Sequence, residues 1–118
     1  MEVRFYKTPS GRVPAREFIM NLSDADMSCV IDCLHYVEAD GVDAVGVDFR
    51  CIEGKLYELK IRGRDGSYRL FYVTLKGKIM VILHGYKKKS QKAPIKELDL
   101  ARKRIKEVFR DETSYYTS

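Results

Sequence analysis

Three runs rich in β-branched and aromatic residues, 55–62, 67–75 and 78–86, are separated only by short turns at Asp65-Gly66 and Lys76-Gly77. Such pairs suit the left-handed backbone of tight hairpins, so the runs predict three adjacent antiparallel strands. No other feature constrains the fold as much. Strands joined this closely must be sheet neighbours, and the rest of the chain has to pack onto them.

The flanks supply the packing. Met1 to Tyr6 alternates Val3 and Phe5 with Glu2, Arg4 and Tyr6, which fits a first strand. Pro14 suits the first turn of a helix, where its missing N–H is not needed, and Ala15, Phe18, Ile19 and Leu22 follow at helical spacing. Ser23 is placed to cap a second helix, whose stripe of Met27, Val30, Ile31, Leu34 and Val37 ends near Asp40-Gly41. Residues 42–54 alternate too weakly to assign. Pro94 opens a last helix with Ile95, Leu98, Ala101, Ile105 and Phe109 inward. Arg102, Lys103, Arg104, Lys106 and Arg110 crowd its other faces. Glu112 to Ser118 has no period and reads as a mobile tail. The expected class is α+β: an N-terminal strand and helical hairpin on a small, mainly antiparallel sheet, with a C-terminal helix, in one domain over residues 1–118.

A chain of 118 residues supports one modest core, and a formal charge of +5 admits a polyanion partner without requiring one. The first residues lack the apolar core of a signal peptide, and no apolar run nears the ~20 residues of a membrane span. A cytoplasmic protein without membrane contact is expected. Cys29, Cys33 and Cys51 are an odd set and frame no disulfide scaffold. Cys29 and Cys33 lie four apart near His35, but zinc takes about four ligands and no second Cys/His pair completes them. Neither metal nor cofactor is expected.

Turn length fixes which residues stand opposite each other. Two-residue loops at 65–66 and 76–77 would set Arg62 against Arg69, Lys60 against Phe71, and Arg69 against His84. One face would then hold Tyr57, Leu59, Ile61, Leu70, Tyr72, Ile79, Val81 and Leu83 against the helical hairpin. The other would carry Arg62, Arg69 and His84 in one row, Lys60 a step away, and a floor of Phe71, Val73, Met80 and Ile82. A single bulge would scatter that cluster.

Like charges directly opposite cost up to about 1 kcal/mol per pair. Splayed into water, or met by Glu53, Glu58 or Asp65, they would be unremarkable. Gathered on one patch, they make an anion site. Arginine's planar fork suits phosphate oxygens, and histidine exchanges protons near neutral pH. The strand bearing His84 continues into Gly85-Tyr-Lys-Lys-Lys-Ser-Gln-Lys92, which sets Lys87, Lys88, Lys89 and Lys92 at the rim. Tyr86 stands among them, and aromatics beside cations stack single-stranded bases and track their backbone.

These blocks resemble the type II toxins of the RelE/ParE superfamily, in particular its HigB-like, phage Gp49-like branch. The resemblance rests on Gly11-Arg-Val-Pro-Ala-Arg-Glu-Phe18, Leu56-Tyr-Glu-Leu-Lys-Ile-Arg62, Tyr68-Arg-Leu-Phe-Tyr72 and Leu83-His-Gly-Tyr-Lys-Lys-Lys-Ser-Gln-Lys-Ala-Pro94. It implies a helical hairpin on a small sheet and a ribosome-dependent endoribonuclease acting on messenger RNA. It also implies a cognate antitoxin partner, of helix-turn-helix type. By the same resemblance Lys60 and Arg69 carry activity, and Lys87 or Lys88 fills a basic position after the last strand. Two departures stand out: Glu58 occupies a position where RelE-type toxins often have lysine, and Ala93-Pro94-Ile95 offers no catalytic tyrosine. Tyr86 or His84 would then move the protons, Arg62 and Arg69 clamp the phosphate, and Lys60 sit near the attacking 2′-oxygen. The alternatives are a ParE-like toxin that binds DNA gyrase without cutting RNA, and an inactive phage-derived remnant.

Overall fold

The computed structural model describes residues 1–90 and 92–116. Its five-stranded sheet runs in the order β1-β5-β4-β3-β2. The strands are β1 (Glu2–Phe5), β2 (Asp48–Glu53), β3 (Leu56–Arg62), β4 (Ser67–Leu75) and β5 (Ile79–Lys87). Only β1 and β5 are parallel; the other pairs are antiparallel. Helices α1 (Pro14–Met20) and α2 (Asp24–Asp40) form the hairpin on one face, and α3 (Ile95–Arg110) covers part of the other. The α+β class read from the sequence is the observed one.

Local chemistry sets the helix limits. Pro14 occupies the first turn of α1, and the Ser23 hydroxyl accepts from the Asp26 N–H at 3.3 Å to cap α2. Val30, Leu34 and Val37 are buried as the stripe requires, joined by Cys33, whose thiol burial pushes up to about 11. In α3 the buried residues are Ala101 and Val108, whereas Ile95, expected inside, is 73% exposed. Glu112–Tyr115, expected as part of a tail, form a 3-10 turn capped by Tyr116. There the Lys7 N–H reaches the Tyr115 hydroxyl, and the Lys76 ammonium lies 4.1 Å from the Tyr116 ring centre. Thr117 and Ser118 lie outside the described residues.

Both hairpin loops are longer than the sequence suggests. Arg62 pairs with Ser67, so the first loop is 63–66, closed by the Gly63 N–H on the Gly66 carbonyl at 2.8 Å. Leu75 pairs with Ile79, making the second loop Lys76–Lys78, with Lys76 and Gly77 both at positive φ. An odd loop swaps the faces of β5. Met80 and Ile82 therefore meet the helical hairpin, and Ile79, Val81 and Leu83 meet α3, the reverse of the expected arrangement. Then the register shifts once more: Tyr72 pairs with Ile82 but Phe71 pairs with His84, leaving Leu83 as a bulge. The bulge returns His84 and Tyr86 to the face that carries Arg69.

Buried Asp26, near the start of α2, clamps the first loop. Its carboxylate accepts from the N–H groups of Arg64 (2.6 Å) and Asp65 (3.0 Å) and from the Tyr68 hydroxyl. The Tyr68 bond, followed by the backbone donors, holds Asp26 below the usual carboxylate range against the opposing effect of burial. A depressed carboxyl stabilises the fold above its unfolded pKa, and that contribution is lost as pH falls through the folded value. Wild-type protein should therefore lose stability more steeply than Asp26→Asn as pH falls below the ordinary carboxylate value of about 4. Equal slopes in urea titrations would contradict this. Gly85 is fixed by packing, since a Cβ there would lie 2.7 Å from Phe18 Cδ2 and 2.8 Å from Leu70 Cδ2. Gly85→Ala should destabilise by about 1–3 kcal/mol, read as a lower urea midpoint at unchanged m-value.

Candidate nucleic-acid site

Two cross-strand rows form on the α3-bearing face of the sheet. The first runs Asp48, Lys60, Arg69, Tyr86 across β2, β3, β4 and β5. The second, two residues along β3, runs Arg50, Glu58, Phe71, His84. Directly opposed side chains in such rows lie about 4.5–5.5 Å apart at Cβ. The expected row of Arg62, Arg69 and His84 is thus not the observed one. Arg62 pairs with Ser67 at the exposed end of the sheet, while Lys60 and Tyr86 take the places beside Arg69. All of these remain on one face.

Like-charged Lys60 and Arg69 stand opposite each other, each with a carboxylate residue nearby. Asp48 faces Lys60, and buried Glu58 places Oε1 3.5 Å from Arg69 Nε. Arg69, only 8% exposed as a residue, also donates from its guanidinium to the Tyr68 carbonyl at 3.3 Å. A charge this deep is tolerated only when paired. Glu58, a departure from the RelE pattern, is therefore the counter-ion of Arg69, a role sequence reading reached only as one option among three. Tyr86 packs on Phe71, ring centres 5.5 Å apart, and its hydroxyl is pushed up to about 12, chiefly by burial and then by Glu58. Tyr86 is a protonated donor at neutral pH.

His84 stacks with both Phe71 and Tyr86 but is engaged at each ring nitrogen. Arg104 Nη1 lies 3.3 Å from Nδ1, and a guanidinium can only donate. Nδ1 is therefore the acceptor, and Nε2 carries the proton that it donates to Glu97 Oε2 at 3.1 Å. Burial lowers the His84 pKa most, Glu97 opposes that, and Arg104 lowers it further. Both nitrogens of His84, expected as a proton-transfer group, are thus in contact with side chains of α3. Arg104 also donates to the Leu83 carbonyl at 2.9 Å and lies 5.1 Å over the Tyr6 ring.

The lysine run divides. Lys87 pairs with Tyr68 and so stands on the helical-hairpin face, where it leans over Gly66 and favours the Asp26 carboxylate. The Lys88 N–H bonds to the Ser67 carbonyl at 2.8 Å and extends the ladder by one step. Lys89 and Lys92 are exposed beyond it. A cavity of about 960 Å³ opens along β1 between Arg4, Arg16 and Arg110 and shares no residue with the two rows. Among the described residues no cluster of three or more His, Cys, Asp or Glu could hold a metal, and no helix is long and apolar enough to cross a membrane.

The imidazole geometry has a direct test. His84 should titrate below the ordinary histidine value of 6.5 and keep the Nε2–H tautomer at pH 7, as read from its ring ¹⁵N shifts. A midpoint at or above that value would contradict it.

The family model described as phage derived protein Gp49-like (DUF891) matches residues 17–106, which include both rows, the Leu83 bulge and most of α3. No curated protein matches the chain. The matched family points to the toxin of a toxin–antitoxin pair, with a cognate antitoxin as its partner. The chain therefore belongs to the Gp49-like phage-derived family, within the RelE/HigB-like toxin superfamily.

Proposed function

We propose that this toxin is a messenger-RNA endoribonuclease acting at the ribosome, and that the row of Lys60, Arg69 and Tyr86 is its reaction centre. The observation that carries the reading is the placing of two cations and a protonated phenol side by side on three paired strands. RNA supplies its own nucleophile. The 2′-oxygen bonds to phosphorus, the bond from phosphorus to the 5′-oxygen breaks, and a 2′,3′-cyclic phosphate and a 5′-hydroxyl result. In this reading Glu58, one step from Lys60 on the same face of β3, receives the 2′-hydroxyl proton. Tyr86 gives its proton to the leaving 5′-oxygen.

Arg69 and Lys60 stabilise the extra charge on the phosphorane, the kind of preorganised electrostatics worth several kcal/mol in an enzyme site. Arg69 exchanges part of its hold on Glu58 for the phosphate, which frees the carboxylate as base. Arg62, at the exposed end of β3, together with Lys88, Lys89 and Lys92, holds the flanking backbone or ribosomal RNA. A cationic patch of this kind also suits an acidic antitoxin segment that covers it.

Arg69→Ala leaves Glu58 buried without its partner and should lower the melting temperature, yet it should abolish growth inhibition under conditions where far-UV circular dichroism shows the variant folded. Tyr86→Phe should lower cleavage about 10²–10⁴-fold, the usual contribution of a positioned general acid. Full toxicity in folded Arg69→Ala protein would remove the assignment.

A further inference from the structure

Helices α2 and α3, on opposite faces of the sheet, carry opposite charge. From Asn21 to Phe49 the chain contains no lysine or arginine, and the exposed acids of α2 include Asp24, Asp32, Glu38 and Asp40. On the other side, α3 turns every one of its acids inward or sideways to a partner. Glu97 binds His84, Asp99 binds Arg102 at 2.9 Å, and Glu107 binds the Tyr6 hydroxyl. Lys96, Lys103, Lys106 and Arg110 are exposed and make no ion pair among the described residues.

Helical geometry gathers those four. At 100° per residue Lys96, Lys103 and Arg110 fall within about 40° of one another and Lys106 about 40° further round, a stripe about 21 Å long. A double-stranded nucleic acid carries a charge about every 3.4 Å along each strand, so the stripe spans several phosphates. Arg102 is not available to it, since Glu53 of β2 holds that guanidinium at 2.6 Å and Asp99 shares it. Arg104 is likewise committed to His84.

We propose that the outer stripe of α3, formed by Lys96, Lys103, Lys106 and Arg110, docks on the phosphate backbone of a base-paired RNA. The acidic outer surface of α2, across the sheet, is repelled by the same polyanion and orients the approach. This surface is separate from the row at Lys60, Arg69 and Tyr86 and reads no sequence. It rests on RNA being the target of the toxin, and adds a second, structured RNA element that the protein grips while the row meets the strand to be cut.

The test measures binding of a fluorescein-labelled RNA hairpin by anisotropy over a range of salt concentrations. It compares wild type, Lys103→Ala/Lys106→Ala/Arg110→Ala, and a control that removes a cation from another element, Arg12→Ala. The triple variant should bind at least about tenfold more weakly at low salt, with a log–log salt slope shallower by about 3, whatever the hairpin sequence. Arg12→Ala should change the slope little. All three substituted residues of α3 are exposed, and unchanged circular dichroism and melting confirm the fold. Wild-type affinity in the folded triple variant overturns the proposal. So does stripe-dependent binding to phosphatidylserine vesicles without binding to the hairpin. Unchanged hairpin binding in the triple variant, with arrest still lost in Arg69→Ala, would sink the docking surface and leave the endoribonuclease reading intact. The reverse pattern would sink the endoribonuclease and keep the surface.

Discussion

The Leu83 bulge is the feature on which the site depends. A strand alternates its side chains strictly, so the odd loop Lys76–Lys78 would by itself send His84 and Tyr86 to the helical-hairpin face. One extra residue restores the parity. The cost is a local break in the ladder between β4 and β5. The return is a cross-strand row in which Tyr86 stands beside Arg69 and His84 beside Phe71. Gly85, just past the bulge, lets Phe18 and Leu70 close in from the hairpin side, so the backbone is held where the row needs it.

Charge balance decides what each polar residue can then do. Arg69 and Glu58 are both nearly buried and answer each other; in the proposed mechanism an arriving phosphate takes over the guanidinium and releases the carboxylate. The neighbouring group of His84, Glu97 and Arg104 engages both nitrogens of the imidazole and ties α3 to the bulged strand. The Arg69–Glu58 pair thus spans the two rows, whereas the His84 group anchors the second row to α3.

Much of this was legible in the sequence, and what was missed has physical reasons. Helices α1 and α2 announce themselves through Pro14, Ser23 and a stripe of period 3.6. Strands β3 to β5 do so through β-branched and aromatic runs between glycine-bearing turns. Strand β2 escaped because it is a short edge strand, exposed at Asp48, Arg50, Cys51 and Glu53, whose pattern looks like a loop. The registers escaped because turn residues name the turn but not its length: the Asp26 clamp on Arg64 and Asp65 comes from a helix nearly forty residues away. The bulge left no local signal in the sequence. Lys60, Arg69, His84 and Tyr86 were nonetheless assigned to one patch, and the resemblance added weight to Lys60 and Arg69. Glu97 and Arg104, the partners that occupy His84, lie on a helix whose angle to the sheet no sequence pattern fixes.

The most direct measurement is primer extension on translated messenger RNA after induction of wild type and of Arg69→Ala, with chromosomal DNA integrity followed in parallel. The account predicts discrete cuts inside coding regions for wild type, none for the variant, and intact DNA in both. Whole transcripts accompanied by DNA breaks in wild type would contradict it, and would point to a toxin that poisons gyrase.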